Sequence, residues 1–204
     1  MKKLVLSLLI AAMAFNVNAQ EKGKIRVGLD AGLGLPNAGA GFNGGLDLRY
    51  NIEDNINVGL KFTSGLLIKD INVDNVANTA SLTTSIISSY LATSDYYFGK
   101  GTSIFSPFLG GGLGFYKVIN IGLSASGTST PTPPTNTSVF LGETKFGGLL
   151  RGGFELGHFR MGLEYYLIPS SNTVDINNVI NGTTGNSFLN ISLGFYFGGG
   201  HWKK

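Results

Sequence analysis

The stretch Asn186–Gly200, NSFLNISLGFYFGGG, decides the fold because large apolar residues alternate in it with small or polar ones. Successive side chains of a β-strand point to opposite faces of the sheet, so such a sequence has one apolar and one polar face. The apolar face consists of Leu189, Ile191, Leu193, Phe195 and Phe197. The other face consists of Phe188, Asn190, Ser192, Gly194 and Tyr196. This pattern is typical of a strand with hydrocarbon on one side and a polar space on the other.

The N-terminus has the layout of a secretory signal peptide. Lys2 and Lys3 precede an apolar run from Leu4 to Phe15, and small residues follow up to Ala19. The apolar run is shorter than the roughly 20 residues that a membrane-spanning helix needs. We therefore expect cleavage after Ala19 and export of the rest of the chain.

The mature chain, residues 20–204, is predicted to be one domain of a membrane protein. Without Lys2 and Lys3, 13 basic residues face 12 acidic ones, and no charge run or basic stripe points to nucleic acid. Charged residues make up only 13% of the chain, about half of the ~25% usual for soluble domains. There is no cysteine, and 31 residues are glycine. A charge-poor, glycine-rich chain without a later helix-length apolar stretch indicates a transmembrane β-barrel.

Alternation recurs along the mature chain and predicts an all-β fold, an antiparallel up-and-down barrel of about eight strands. The predicted strands cover roughly 24–35, 42–52, 56–68, 80–98, 104–118, 144–157, 159–168 and 186–200. An even number suits a single-chain bacterial barrel. The register of strand 80–98 stays open, because Ile86 and Ile87 would point to opposite faces. Aromatic residues near strand ends, including Tyr97, Tyr116 and Phe188, are expected in rings at the two membrane surfaces.

The connections between the predicted strands alternate in length. Short turns fall at 53–55, 99–102 and 157–158. Longer loops fall at 36–41, 69–79, 119–139 and 169–185. Short periplasmic turns and long external loops are expected of an outer-membrane barrel. A soluble lipocalin-type barrel is the alternative, but its outer polar face should be rich in Lys and Glu rather than Gly, Asn, Ser and Thr.

Charged residues of both signs fall on the face predicted to line the barrel interior. They are Arg26, Asp30, Asp47, Arg49, Lys61, Lys145, Arg151, Glu155, Arg160 and Glu164, and Asp95 joins them if its register permits. The interior of an eight-stranded barrel is just wide enough for its side chains, so these charges must pair. We interpret the cluster as a structural, salt-bridged plug. The alternative is a narrow polar conduit for small solutes.

The sequence offers no constellation for catalysis, metal binding or a cofactor. His158 lies in a predicted periplasmic turn and His201 in the C-terminal tail, and neither has a serine at strand spacing. A Ser-His-Asp site needs its base within hydrogen-bond reach of the nucleophile, and only Glu155 could orient His158. No His pair or acidic calcium loop is present. We therefore expect no catalytic, cofactor or metal site.

Three segments resemble a known family: the leader ending NAQ, DYYFGKGTSIFSPFLGGGLGFY from Asp95 to Tyr116, and LGFYFGGG from Leu193 to Gly200. They are similar to the small outer-membrane β-barrel family common in Bacteroidetes, which shares its architecture with the OmpA, OmpX and opacity-protein barrels. The resemblance covers the mature chain and implies a bacterial outer-membrane location. Many outer-membrane barrels end on an aromatic residue read by the insertion machinery, whereas this chain continues past Phe197.

Three functional hypotheses follow from the sequence. The first is a non-enzymatic structural or surface-interaction role, carried by the external loops 36–41, 69–79, 119–139 and 169–185, for which the sequence names no ligand. The second is a small passive pore for polar solutes. The third is a lipid A-modifying barrel enzyme with His158 as its base. Expected partners are outer-membrane lipid and the barrel-insertion machinery, and nucleic acid is not expected.

Overall fold

A computed structural model describes residues 21–37, 39–74, 79–98, 105–126, 136–139, 142–174 and 180–199. The expected signal peptide and the C-terminal tail with His201 lie outside the described residues. Within the described ranges, no helix has the length and apolar character needed to span a membrane.

The described residues form eleven β-strands in chain order. They are β1 Ile25–Leu35, β2 Gly41–Glu53, β3 Ile56–Asp74, β4 Thr79–Tyr97, β5 Phe105–Ser126, β6 Asn136–Val139, β7 Glu143–Leu156, β8 Phe159–Leu167, β9 Ser171–Val174, β10 Ile180–Thr184 and β11 Phe188–Gly198.

Eight of the strands close into a barrel in the order β1, β2, β3, β4, β5, β7, β8, β11. Every neighbouring pair is antiparallel, and the last strand returns to the first. Leu29 on β1, for example, lies opposite Leu46 on β2 and Phe195 on β11. Closure satisfies the backbone hydrogen bonds of every barrel strand without leaving an edge in the membrane. The predicted all-β antiparallel barrel of eight strands is therefore confirmed.

The outer surface of the barrel is an apolar belt between two aromatic rings. One ring consists of Tyr50, Tyr96, Phe98, Phe105, Phe159 and Phe197. The other consists of Phe42, Tyr90, Phe115, Phe146 and Tyr165. On β3 the segment between the rings runs from Ile56 to Leu66, whose length suits the roughly 25 Å apolar band of an outer-membrane barrel. We call the parts of the strands between the rings the membrane-spanning segments.

The short connections and both described chain ends lie at the first ring, which we take as the periplasmic end. There the N-terminal segment is attached to the β2–β3 turn. The Lys22 ammonium donates to Glu53 at 2.6 Å, and the Lys22 backbone N–H donates to Asp54 at 2.9 Å. The hydrogen bond and negative charge of Glu53 hold the pKa of the exposed Lys22 above its ordinary value.

At the opposite end the structure corrects three of the expected loops. β3 and β4 continue through most of 69–79, pairing as far as Asp74 with Thr79. β5 runs on to Ser126 and pairs with β6 inside the expected loop 119–139. The strands β9 and β10 form a hairpin inside 169–185. Residues typical of turns, Asn and Asp in 69–79 and Ser, Thr and Pro in 119–139, predict loops, but pairing with a neighbouring strand satisfies the backbone groups of these segments equally well.

These extensions form a sheet that projects from one side of the barrel. We call it the extracellular ledge: residues 69–74 of β3, 79–84 of β4, 119–126 of β5, and β6. It continues the barrel wall beyond the membrane-spanning segments.

The structure also resolves the register of β4. Ile87, Leu91 and Asp95 point inward and are buried, whereas Tyr90 and Tyr96 face outward. Asp95 therefore joins the interior charges.

Candidate functional site

The barrel interior is filled by side chains at four levels. The lower ionic layer, nearest the periplasm, consists of Arg26, Asp47, Arg49, Asp95, Arg151, Glu155 and Arg160. The middle ionic layer consists of Asp30, Lys61 and Glu164. The apolar layer consists of Leu67, Ile87, Leu91, Tyr116, Val118, Leu149, Tyr166, Ile168 and Phe188. The mouth consists of Lys69, Ser85, Asn120, Ser171 and Asn186.

Asp95 lies at the centre of the lower ionic layer. Its carboxylate, 1% exposed, accepts hydrogen bonds from three arginines. The donors are Arg151 Nε at 2.7 Å, Arg160 Nη1 at 3.0 Å, and Arg49. Charge-assisted hydrogen bonds of this kind are among the strongest that side chains make. One carboxylate therefore joins strands β2, β4, β7 and β8.

Glu155 makes a second junction in the same layer. It accepts from Arg26 at 2.8 Å, from Arg160 at 3.2 Å and from the Tyr97 hydroxyl at 2.6 Å. Arg26 lies on β1 and Glu155 on β7, so this ion pair reaches across the barrel. The sequence offered Glu155 as an orienter for His158, but the Glu155 carboxylate is engaged inside the barrel instead.

Asp47 completes the lower ionic layer from the opposite wall. It accepts from Arg49, from Arg151 at 3.2 Å and from the Tyr196 hydroxyl at 3.0 Å. The Tyr196 ring also lies 4.8 Å from the guanidinium carbon of Arg49, within cation–π range. The ring has room only because residue 28 is glycine: a Cβ on Gly28 would lie 2.3 Å from it.

Lys61 connects the middle ionic layer across the barrel. From β3 its ammonium donates to Glu164 on β8 at 2.7 Å and to Asp30 on β1 at 3.1 Å. Glu164 also accepts from Tyr166 at 2.9 Å and from Asn190 at 3.1 Å. Since β3 and β8 are on opposite walls, these bonds pass through the centre of the barrel.

Above them, the buried side chains of the apolar layer pack across the axis of the barrel. Tyr166 and Phe188 are stacked with ring centroids 4.6 Å apart, and Tyr116 lies edge-on to Tyr166 at 6.2 Å. The Tyr116 hydroxyl donates to the Gly148 carbonyl at 2.7 Å, so burial of this ring leaves no unpaired hydroxyl. Two ionic layers are thus covered from the outside by a packed apolar one.

The structure places nine of the ten predicted interior charges in the two ionic layers, together with Asp95. Lys145 differs: it lies at the rim, pairs with Glu143 at 2.8 Å and donates to the Ser170 carbonyl at 2.7 Å. The layers hold five cations and five carboxylates. Equal numbers of opposite charges are what a buried cluster requires.

Sequence reasoning misplaces three interior residues. Tyr97, Tyr116 and Phe188 are expected in the aromatic rings, but all three are buried inside the barrel. Tyr97 shares the inward face of β4 with Asp95, which lies two positions before it. Knowledge of the β4 register would therefore have placed the Tyr97 side chain inside the barrel.

His158 lies in the β7–β8 turn at the periplasmic end. Its Nδ1 is 2.7 Å from the Tyr196 carbonyl oxygen, and its ring stacks on Phe195 at 5.7 Å. Among the described residues no hydrogen bond joins His158 to a serine hydroxyl. The same part of the chain contains no group of three or more His, Cys, Asp or Glu residues that could hold a metal ion.

One groove lies on the outer surface of the barrel, and Arg49 of the lower ionic layer is among its lining residues. It has a volume of about 960 Å³ and lies between Val58 and Leu60 on one side and Leu113 and Leu150 on the other, with Ala92 between them. It opens outward within the apolar belt, so its apolar walls are suited to contact with acyl chains. Its polar lining residues are Arg49, Thr93 and Ser94.

A closed antiparallel barrel with an outward apolar belt, aromatic rings and a polar interior defines the class: an outer-membrane β-barrel protein. No protein-family model matches the chain, and comparison with curated proteins gives no match.

The chain is similar in structure to several solved outer-membrane barrels. OprG from Pseudomonas aeruginosa has a TM-score of 0.49 at 14% identity, covering 89% of this chain and 99% of OprG. The N-terminal barrel of OprF from the same organism has a TM-score of 0.46 at 11% identity, covering 87% of this chain and 100% of that domain. Neisserial surface protein A has a TM-score of 0.43 at 13% identity, covering 85% of this chain and 94% of that protein. Likeness at these identities concerns the fold alone.

Proposed function

We propose that this protein is a non-enzymatic outer-membrane barrel with a structural or surface-interaction role, exercised at its extracellular end. The observation that carries the proposal is the filled interior. Lys61 meets Glu164, and Arg151 meets Asp47, across opposite walls of the barrel. A barrel closed along its axis leaves its outer end as the surface available to partners.

The extracellular ledge supports the same proposal. It extends the barrel wall by paired strands up to Asp74 on β3 and Ser126 on β5. A strand extension that contributes nothing to the membrane belt is a scaffold for contacts outside the membrane. The expected loops 36–41, 69–79, 119–139 and 169–185 all connect strands at this end. The resemblance to the small outer-membrane barrel family common in Bacteroidetes supports the fold and the location of this proposal.

A passive pore is the second candidate, because the interior is lined by charges rather than by apolar residues alone. Solute flux would require the pairs Arg26–Glu155 and Lys61–Glu164 to separate, at the cost of burying unpaired charges. The lipid A-modifying hypothesis has the least support. Its proposed base, His158, lies in a periplasmic turn, where Nδ1 forms a hydrogen bond with the Tyr196 carbonyl oxygen.

The proposed role is tested by shortening the ledge without disturbing the barrel. Asp70 pairs with Thr83, and Ile121 pairs with Val139, so each pair can be joined by an Asn-Gly turn after removal of the residues between. We expect the wild-type gene to restore surface attachment to a deletion strain and the shortened gene to fail, although both proteins insert equally. Full restoration by the shortened protein would contradict the proposal.

A further inference from the structure

A small notch lies on the lipid-facing surface of β2, β3 and β4, at the extracellular aromatic ring to which Tyr90 belongs. It has a volume of about 400 Å³. Six residues that face outward line it: Gly44, Leu46, Phe62, Ser64, Ser88 and Tyr90. We call this depression the serine notch.

The serine notch is apolar toward the centre of the membrane and polar toward the exterior. Its lower row, in register across the three strands, consists of Leu46, Phe62 and Tyr90. The Phe62 and Tyr90 rings pack edge-on with centroids 5.9 Å apart. Its upper row, two positions nearer the extracellular end of each strand, consists of Gly44, Ser64 and Ser88. A lipid has the same polarity at this depth, with its headgroup above its acyl chains.

The two serines present hydroxyl groups to the surroundings of the barrel. Ser64 Oγ and Ser88 Oγ lie 3.2 Å apart on the outer face. One hydrogen bond between two hydroxyls leaves the second hydroxyl hydrogen without an acceptor among the described residues. A donor without an acceptor is unfavourable beside hydrocarbon, so an acceptor from outside the protein would stabilise it.

Gly44 keeps the serine notch open, although the packing of the barrel does not require glycine there. A Cβ placed on Gly44 would meet only the Asp30 carbonyl oxygen, at an ordinary contact distance of 3.6 Å. A larger side chain at this position would instead extend beside Ser64, which lies opposite Gly44 on β3. The space above the two serines therefore depends on Gly44.

A lysine without a counter-charge lies at the rim of the serine notch. Lys117 on β5 is exposed and lies directly opposite Ser88, so their Cβ atoms are about 5 Å apart. Among the described residues no carboxylate forms an ion pair with Lys117, and Glu143 on β7 is paired with Lys145 instead. A Cβ placed on Gly142 would lie 3.5 Å from Lys117 Cε, so the lysine side chain extends along the outer wall.

We propose that the serine notch binds the phosphate of an outer-leaflet lipid headgroup, with Ser64 and Ser88 as hydroxyl donors and Lys117 as the counter-charge. Two donors and a cation without a carboxylate partner select an anion, and hydrogen bonds to a charged group are stronger than neutral ones. The flexible four-carbon stem of lysine brings its ammonium to an anion held at the serines.

The lower row identifies the source of the phosphate as a lipid. A free phosphate would use the hydroxyls and the ammonium alone, whereas the acyl chains of a lipid also cover Phe62 and Tyr90. This inference concerns the lipid-facing wall of the barrel. It goes beyond the proposed surface role and does not depend on whether the ledge has a partner.

The test is native mass spectrometry of the refolded mature chain, residues 20–204, taken from detergent micelles that contain increasing amounts of lipid A. We expect the chain to retain lipid A at concentrations at which enzymatically dephosphorylated lipid A is lost. Lys117→Gln should weaken retention roughly tenfold, the size expected for one hydrogen bond to a charged group. The double substitution Ser64→Ala and Ser88→Ala should weaken it by a similar factor.

Two further variants separate the serine notch from the general charge of the extracellular end. Gly44→Val fills the notch and should weaken retention while the serines and Lys117 remain. Lys145→Gln is the matched control, because it removes a lysine whose charge is already paired with Glu143, and it should retain lipid A like the wild type. Gel mobility before and after heating verifies that each variant is folded.

Equal retention of dephosphorylated lipid A would overturn the proposal, since acyl chains alone would then account for the binding. Displacement of lipid A by inorganic phosphate at the same concentration would also overturn it, because the site would then take a free phosphate. Unchanged retention in folded Lys117→Gln, or an equal loss in Lys145→Gln, would have the same consequence.

Discussion

Asp95→Asn is expected to lower the free energy of unfolding by about 3–5 kcal/mol, because it removes one partner of a buried ionic network. Asp95 receives hydrogen bonds from Arg49, Arg151 and Arg160. Asparagine has nearly the same shape but no charge, so the two ionic layers together would hold five cations against four carboxylates away from water. Urea titration of the mature chain in lipid vesicles measures the loss.

Asp54→Asn is the matched control, since Asp54 lies exposed in the β2–β3 turn and accepts one backbone hydrogen bond from Lys22. Its unfolding curve should stay close to that of the wild type. Equal small losses in both variants would show that the interior charges are not paired as described.

Phe188→Ala is expected to be about as destabilising, by roughly 3–5 kcal/mol, because it empties a packed position of the apolar layer. Phe188 is 5% exposed and stacks on Tyr166 at 4.6 Å. A Cβ placed on Gly34 would lie 3.4 Å from the Phe188 ring, so the ring lies close to the wall formed by β1. The surrounding strands are hydrogen-bonded on both sides and cannot collapse into the gap.

Phe115→Ala is the control for this change, because the Phe115 side chain is 57% exposed on the lipid-facing surface. Lipid fills the space that it leaves, so no comparable cavity forms. The same urea titration measures both variants, and a loss for Phe188→Ala no larger than that for Phe115→Ala would contradict an apolar layer packed inside the barrel.

Much of the barrel could be predicted from alternation alone. A period of two determines which side chains share a face, so the inward positions of Asn190 on β11 and Arg151 on β7 follow from the local sequence. The apolar outer belt follows from the same pattern. Closure follows because a membrane strand with a free edge would leave its backbone groups unpaired.

The partners of the interior charges could not be predicted in this way. Arg26 and Glu155 are 129 residues apart in the chain, and their meeting depends on strand order and register. The inward placement of Tyr97 depends on the β4 register, which Ile86 and Ile87 leave ambiguous in the sequence. The ledge could not be predicted because its segments mix strand-favouring residues such as Ile71, Val73 and Leu123 with Asn, Asp and Ser, which are typical of turns.

The central claim is that the interior is closed by paired charges and an apolar layer. Single-channel recording of the refolded mature chain, residues 20–204, in a planar lipid bilayer tests it most directly. We predict no steady current steps when insertion has been verified independently. Steady, voltage-tolerant steps that change on substitution of Arg151 and Glu155 would contradict the claim and would favour the pore.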